Sequence, residues 1–319
     1  MQIRKGNVED IPAIIPLLKK SLGETLMPKS EAFFYWKHVQ NPFGISKMIL
    51  AEAEDKLIGV RTFMYWNWVR GAEICRAVRA VDTATDPAFQ GKGIFSKLTM
   101  RAVQECTEEK TEFVFNTPNP ISLKGYLKMG WYENGKLPVM LGITAAIPRR
   151  ANAALTDELY RLFSIETHIK KLDETWTIKP HAEIYHTPIS KTYLNWRYAQ
   201  CPVSKYGALI EPGKFGCVFR LKPWKGFLEC RICELWTEND LYVDLAKTEL
   251  NKMMRTLRPI LISCAPSVLF GHGKSPLNLM RGPFSKGPEV TLRTLYREPL
   301  KGFDRFEYWQ PSLGSMELF

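Results

Sequence analysis

Apolar and polar positions divide the first half of the chain into short strands and amphipathic helices. Gln2-Ile3-Arg4-Lys5 reads as a strand. Behind Asn7 or Asp10 as a cap, Ile11, Ile14, Ile15 and Leu18 recur at three- and four-residue spacing, which predicts a helix. Lys47 to Ala53 and Leu57 to Trp68 predict a hairpin around Glu54-Asp55-Lys56, and Glu73 to Thr85 the next strand. Helical spacing returns from Ile94 to Cys106. Glu112 to Asn116 is apolar and β-prone, and supplies a parallel partner for the strand that ends at Thr85. The predicted order is β-α-α-β-β-β-α-β-α-β-β, running from Gln2 to about Ile147.

Part of this pattern recurs. Phe34-Tyr35-Trp36-Lys37-His38-Val39-Gln40-Asn41-Pro42 matches Leu194-Asn195-Trp196-Arg197-Tyr198-Ala199-Gln200-Cys201-Pro202 at an offset of 160. Ser46-Lys47-Met48 and the strand to Val60 then match Ser204-Lys205-Tyr206 and the strand to Val218 at an offset of 158. Two successive matches at nearly one offset predict an internal repeat, each copy giving an aromatic-rich helix, a proline break and a hairpin. The second hairpin turns at Pro212-Gly213-Lys214.

The junction after Thr85 carries candidate chemistry. A strand ends near Pro87, a glycine-rich turn follows, and a helix starts at Ile94. Such a junction presents backbone N–H groups and the positive end of a helix dipole to one point, a site for phosphate. Gly91 and Gly93 let the backbone approach an anion, and Lys92 adds charge. Neither G-x-x-x-x-G-K-[ST] nor G-x-G-x-x-G fits, since position 96 is Ser. Further on, Asn119 and Pro120 start a short helix that Gly130 stops as a left-handed cap, and Asn119 and Tyr126, seven residues apart, share its face.

The first junction resembles motif A of the GNAT superfamily of acyl-CoA-dependent N-acyltransferases, [QR]-x-x-G-x-[GA], through Gln90, Gly91, Lys92, Gly93 and Ile94. Phe95 replaces the last small residue, so either the helix starts displaced or the pantetheine packs against a ring. The second resembles motif B, N-x-x-[AS]-x-x-x-Y-x-x-x-G-[FW], with Asn119, Ser122, Tyr126, Gly130 and Trp131 in register. The resemblance covers residues 1–148, with specific motifs only between Thr83 and Trp131. It implies an α/β (α+β) fold in which a mixed, splayed sheet is flanked by helices. It implies one acetyl-CoA as co-substrate, held by Thr83, Ala84, Thr85, Gln90 to Ser96 and Asn119, and direct transfer of the acyl group to a primary amine. Tyr126 matches the family's general acid.

The base is absent from both usual places: the fourth-strand glutamate falls at Arg79 and the fifth-strand one at Val114. Asp82 is nearby as an alternative base, with the alternation of faces along a strand as the objection to it. Glu73 and His38 are further candidates. Tandem-domain members of the superfamily use a C-terminal phenylalanine carboxylate, which points to Phe319.

The repeat predicts a second GNAT-like domain at 180–319, joined through a helical linker at 149–179. That domain lacks the phosphate loop: Phe227 to Trp236 passes through Thr237-Glu238-Asn239-Asp240 into the next helix with no glycine. Gly271-His272-Gly273-Lys274 reads as a solvated loop instead. The run F-N-T-P-N-P-x-S is similar to uncharacterised bacterial acetyltransferases of surface-polysaccharide clusters, which implies an amino sugar or nucleotide-linked amino sugar as acceptor. Phe33, Phe34, Tyr35, Trp36, Trp66, Trp68 and Trp131 either line its pocket or pack the core.

Composition changes little in this picture. In 319 residues, 45% are hydrophobic and 24% charged, no apolar run is long enough to span a membrane, and no signal-peptide core is present. Seven cysteines without paired C-x-x-C motifs argue against a disulfide framework and against a metal, and for a cytoplasmic protein. The net charge of +11 suits a polyanionic coenzyme, while scattered Lys and Arg make a nucleic-acid partner an unfavoured expectation. A non-catalytic acyl-CoA-binding regulatory protein and a tRNA-dependent aminoacyl transferase are the alternatives. Oligomeric state is not readable from the sequence.

Overall fold

The computed structural model describes residues 1–23, 28–144, 147–267, 269–270, 276–277, 280–296 and 302–316. The first repeat follows the predicted order: β1 (Gln2–Lys5), α1 (Ile11–Leu22), α2 (Glu31–His38), β2 (Lys47–Ala53), β3 (Lys56–Arg70), β4 (Glu73–Thr85), α3 (Ile94–Glu108), β5 (Phe113–Asn116), α4 (Pro120–Lys128), β6 (Tyr132–Lys136) and β7 (Val139–Gly142). Helices α5 (Ala153–Leu162) and α6 (Ile165–Ile169) lie in the connecting segment. The second repeat comprises α7 (Lys191–Leu194), which runs into a π-helical turn at Asn195–Ala199, then β8 (Gly207–Glu211), β9 (Phe215–Trp224), β10 (Phe227–Thr237), α8 (Val243–Leu257), β11 (Leu261–Cys264), β12 (Met280–Phe284), β13 (Glu289–Thr294) and α9 (Leu313–Met316).

Local chemistry accounts for the helix starts. Asn7 and Asp10 form a capping box ahead of α1, whose residues Ile11, Ile14, Ile15, Leu17 and Leu18 are buried. The Ser30 hydroxyl accepts the Phe33 N–H at the start of α2. The apolar face of α3, with Ile94, Leu98, Ala102 and Cys106, is buried on the opposite side of the sheet core from α1.

Two mixed sheets result, in the orders β1-β2-β3-β4-β5-β13-β6 and β12-β7-β11-β10-β9-β8. In each, one central pair is parallel, β4 with β5 and β10 with β11, and the other neighbours run antiparallel. Each repeat lends the other one strand. Strand β13 enters the first sheet between β5 and β6, as β7 enters the second between β11 and β12. The two copies are related by an approximate twofold: Trp36 Nε1 donates to the Trp196 carbonyl at 2.6 Å, and Trp196 Nε1 donates to the Trp36 carbonyl at 2.8 Å. The same pair of rings stacks at 5.3 Å. Around it one core draws on both halves, including Trp66, Trp68, Phe113, Phe115, Tyr193, Tyr198, Val290 and Trp309. An exchange of strands around such a core makes separate unfolding of either half costly.

Among the described residues no helix is long and apolar enough to cross a membrane. None of their His, Cys, Asp and Glu clusters is arranged to hold a metal ion.

Candidate active site

Strands β4 and β5 pair only from Ala77↔Phe113 to Arg79↔Phe115. Beyond that point β4 stays bonded to β3 and separates from β5, so one edge of Ala80 to Thr85 faces a gap. The gap opens into a cleft of about 370 Å³ lined by Lys37, Arg61, Arg79 to Thr83, Asn116 to Asn119, Ser122 and Tyr126. Unpaired strand edges carry free N–H and C=O groups, so this wall of the cleft offers the donors and acceptors that a further strand would use.

The glycine-rich turn lies at the end of the same strand. Gly91 and Gly93 have φ of 77° and 74°, a left-handed conformation that side chains with a Cβ disfavour. A Cβ built on either would meet nothing within 4 Å, so both glycines border open space. Helix α3 starts at Ile94 without a side-chain cap, and its first internal bond runs from Lys97 N–H to Gly93 O. The N–H groups ahead of that bond have no partner within the helix and point at the open space. Gln90 Nε2 holds the turn to the Thr85 carbonyl at 3.2 Å, and Lys92 extends over the Phe89 ring. Phe95 does not displace the helix. Its ring packs edge-on against Tyr126 at 5.6 Å and stands against Gly125.

Asn119 caps α4, its carbonyl oxygen accepting Ile121 N–H and Ser122 N–H at 3.1 and 2.8 Å, and Gly130 ends the helix at φ 85°. Asn119, Ser122 and Tyr126 all face the cleft, as their spacing predicts. The Tyr126 hydroxyl accepts a hydrogen bond from Arg61 Nη2 at 2.6 Å.

Asp82 occupies a place that strand alternation does not predict. The register of β3 against β4 passes from Arg61↔Thr83 to Thr62↔Val81, leaving Asp82 as the extra residue of a β-bulge with φ 37°. The bulge turns its carboxylate toward α2. There Lys37 Nζ and His38 Nε2 each lie 2.7 Å from Oδ2, and Ser46 Oγ stands 2.9 Å from His38 Nδ1. Burial raises the Asp82 pKa, but the Lys37 ammonium and the His38 hydrogen bond outweigh it and hold the carboxyl well below the usual range. Burial also lowers the pKa of His38, whose Nε2 faces the Asp82 carboxylate and whose Nδ1 faces the Ser46 hydroxyl. A carboxylate so stabilised is a weak proton acceptor.

The other base candidates fall elsewhere. Glu73 pairs with Arg70 at the far end of β4, and His38 is sealed behind Asp82; Arg79 and Val114, at the two positions where the family's glutamates are missing, are buried. Phe319 lies outside the described residues, as does the Gly271 to Lys274 loop. Arg79 nevertheless bears on the tail. Its guanidinium donates to the Ser315 and Met316 carbonyls of α9 at 2.6 and 2.7 Å, and to Thr117 Oγ1 at 3.1 Å. The candidate pocket aromatics Phe33, Phe34, Trp36, Trp66, Trp68 and Trp131 are core residues and Tyr35 is exposed; none lines the cleft. Arg61, Lys37 and Arg79 line it instead, and the sequence hinted only at the second, through the repeated cation at Lys37 and Arg197.

The equivalent gap of the second repeat is filled. Strand β10 has its own bulge, at Cys233, where the register passes from Phe219↔Ile232 to Val218↔Glu234. Glu234 Oε1 accepts the hydroxyls of Tyr193, Tyr198 and Ser312 at 2.9, 2.6 and 2.9 Å, so the segment leading into α9 plugs the gap. The β10–α8 junction has no glycine, and Asn239 Oδ1 already accepts the Leu241 N–H at 2.9 Å.

Residues 2–133 match the family model for the acetyltransferase (GNAT) domain. No curated protein matches the sequence. Among solved structures, a GCN5-related N-acetyltransferase from Anabaena variabilis ATCC 29413 superposes with a TM-score of 0.61 at 12% identity, over 92% of this chain and 72% of that one. A conserved protein of unknown function from Enterococcus faecalis V583 gives 0.64 at 10% identity, with the same shares of 92% and 72%. Eis1 from Mycobacterium abscessus gives 0.58 at 14%, over 92% and 74%. At these identities the likeness shows the fold, and it extends through both repeats.

Proposed function

We propose that the chain, whose residues 2–133 match the GNAT acetyltransferase domain model, transfers an acetyl group from acetyl-CoA to the primary amine of a small molecule, in the cleft where β4 and β5 part. One observation carries the reading: the strand β4, whose free edge lines the cleft together with Tyr126, runs on within a few residues into the open glycine turn. The N–H groups around Gly91 to Ser96 take the pyrophosphate, and the Thr83 to Thr85 backbone takes the pantetheine and the thioester carbonyl. The amine nitrogen attacks that carbonyl, the developing oxyanion is held by backbone N–H groups, and Tyr126 protonates the departing thiolate.

For the base, Phe319 is the proposed group rather than Asp82, because Asp82 is already committed to Lys37 and His38. Arg79, which lines the cleft, anchors the carbonyls of Ser315 and Met316, and Phe319 follows three residues later in the sequence. An amino sugar or nucleotide-linked amino sugar suits the polar lining of Asp82, Asn116, Thr117 and Ser122, with three cations against one carboxylate. A panel of amines assayed for release of free coenzyme A tests the reading. Turnover restricted to amino sugars supports it. Tight acetyl-CoA binding without turnover on any amine favours the regulatory alternative, and salt-sensitive tRNA binding without acetyl-CoA binding favours the aminoacyl transferase.

A further inference from the structure

Among the described residues, arginines are buried at three places around the cleft and the filled gap of the second repeat, and one is unlike the others. Arg79 braces the carbonyls of Ser315 and Met316, and Arg197 that of Gly314; both guanidiniums hold backbone. Arg61 holds none. It is fully buried in β3, forms no ion pair with a carboxylate among the described residues, and makes its one hydrogen bond there to the Tyr126 oxygen. Nε and Nη1 have no hydrogen-bond partner among the described residues. Its charge rests among the rings of Phe63, Phe95 and Tyr126, with centroids 5.1, 5.6 and 5.3 Å away. A buried cation without an anion is expensive, and aromatic faces repay only part of that cost. Packing alone would be better served by a leucine or methionine at this position.

We propose that Arg61 is a positioning residue for the general acid, a step that rests on the acyl-transfer reading above. By donating to the phenol oxygen it occupies a lone pair, so the Tyr126 proton has to point elsewhere, and the cleft is the open side. When the tetrahedral adduct collapses, the C–S bond breaks and its electron pair goes to sulfur. Tyr126 gives its proton to that sulfur, forming S–H and leaving a phenolate. The phenolate is then the anion Arg61 lacks in the resting protein, and the pair is formed between two buried side chains, where such an interaction is strong. The phenolate recovers a proton from solvent, to which the Phe319 carboxylate passes on the one it takes from the amine, so the net transfer is from amine to thiol. Phe95, the departure from motif A, contributes a wall of the dry pocket.

A double-mutant cycle on the full chain tests this, with acetyl-CoA and the best amine of the panel as substrates. Arg61→Met should lower kcat by roughly ten- to a hundredfold, the size of a hydrogen bond to a charged group, with acetyl-CoA affinity nearly unchanged. Arg61→Lys should recover part of the loss, since it keeps the charge. In a Tyr126→Phe background, Arg61→Met should change kcat by less than about threefold, because the group it acts through is gone. Equal losses in both backgrounds, or a loss of acetyl-CoA binding in place of kcat, would overturn the proposal and make Arg61 structural. Should Arg61→Met not fold, Arg61→Lys is carried through the same cycle and judged by the same non-additivity. Unchanged kcat in Tyr126→Phe alone defeats the general-acid reading itself, whereas a large Tyr126 effect that adds to the Arg61 effect defeats only this inference.

Discussion

Replacing Gly93 by alanine separates the stability of the turn from its function. In the free protein the new methyl meets no atom within 4 Å, so packing is neither lost nor gained. What remains is the backbone: φ is 74°, and a residue with a Cβ costs about 1–2 kcal/mol there. Spread over a chain of this size, that lowers the melting temperature by only a few degrees. Binding should suffer more. The methyl points into the space that the α3 N-terminus faces, and it would push an anion away from the N–H groups there. Losing one such charge-assisted bond, worth about 1.5–3 kcal/mol, weakens acetyl-CoA binding by roughly ten- to a hundredfold. Titration calorimetry gives the affinity, and thermal melts with and without acetyl-CoA give the stability. The reasoning fails if Gly93→Ala melts a few degrees lower yet binds acetyl-CoA as tightly as the parent, since the space beside Gly93 would then hold nothing.

Further outcomes are expected. Tyr126→Phe should lower kcat by ~10²–10⁴-fold with acetyl-CoA affinity nearly unchanged, as measured by steady-state kinetics and calorimetry; a loss under about threefold with chemistry rate-limiting makes Tyr126 a core aromatic. Arg79→Met strands the Ser315 and Met316 carbonyls and should cost about 3 kcal/mol or more in urea unfolding, with faster hydrogen exchange in α9. Asp82 has a depressed pKa in the folded protein, so its contribution is present above the unfolded value of ~3.9 and is lost as pH falls through the folded one. Asp82→Asn should therefore be less stable than the parent at neutral pH, and urea titrations below about pH 4 should show that difference narrowing.

The first repeat was legible because its signals are local. Caps at Asn7 and Asn119, the apolar spacing of α1 and α3, and glycines at 91, 93 and 130 each act within a few residues of themselves. Long-range pairing was hidden. Val139–Gly142 and Glu289–Thr294 read as strands whichever sheet they enter, so their exchange leaves no trace in periodicity. The bulge at Asp82 exists only in the register with β3, and an alternating pattern places its side chain on the wrong face. Arg61 stands in a strand whose residues are buried on both faces, next to Val60 and Thr62. Sequence gives a strand arginine no reason to be dry; that follows only when Phe95 of α3 and Tyr126 of α4 close over it. Phe33 and Trp36 showed the reverse ambiguity, since an aromatic helix face looks alike whether it lines a pocket or meets its own repeat at Trp196.

The most direct test of the account counts acetyl-CoA bound per chain and, in the same preparation, coenzyme A released when an amine is added. One site per chain is predicted, abolished by a bulky residue at Gly93 and unaffected by changes at Asn239, together with amine-dependent release that Tyr126→Phe suppresses without loss of binding. Two sites per chain, no binding, or binding with no release for any amine would contradict it.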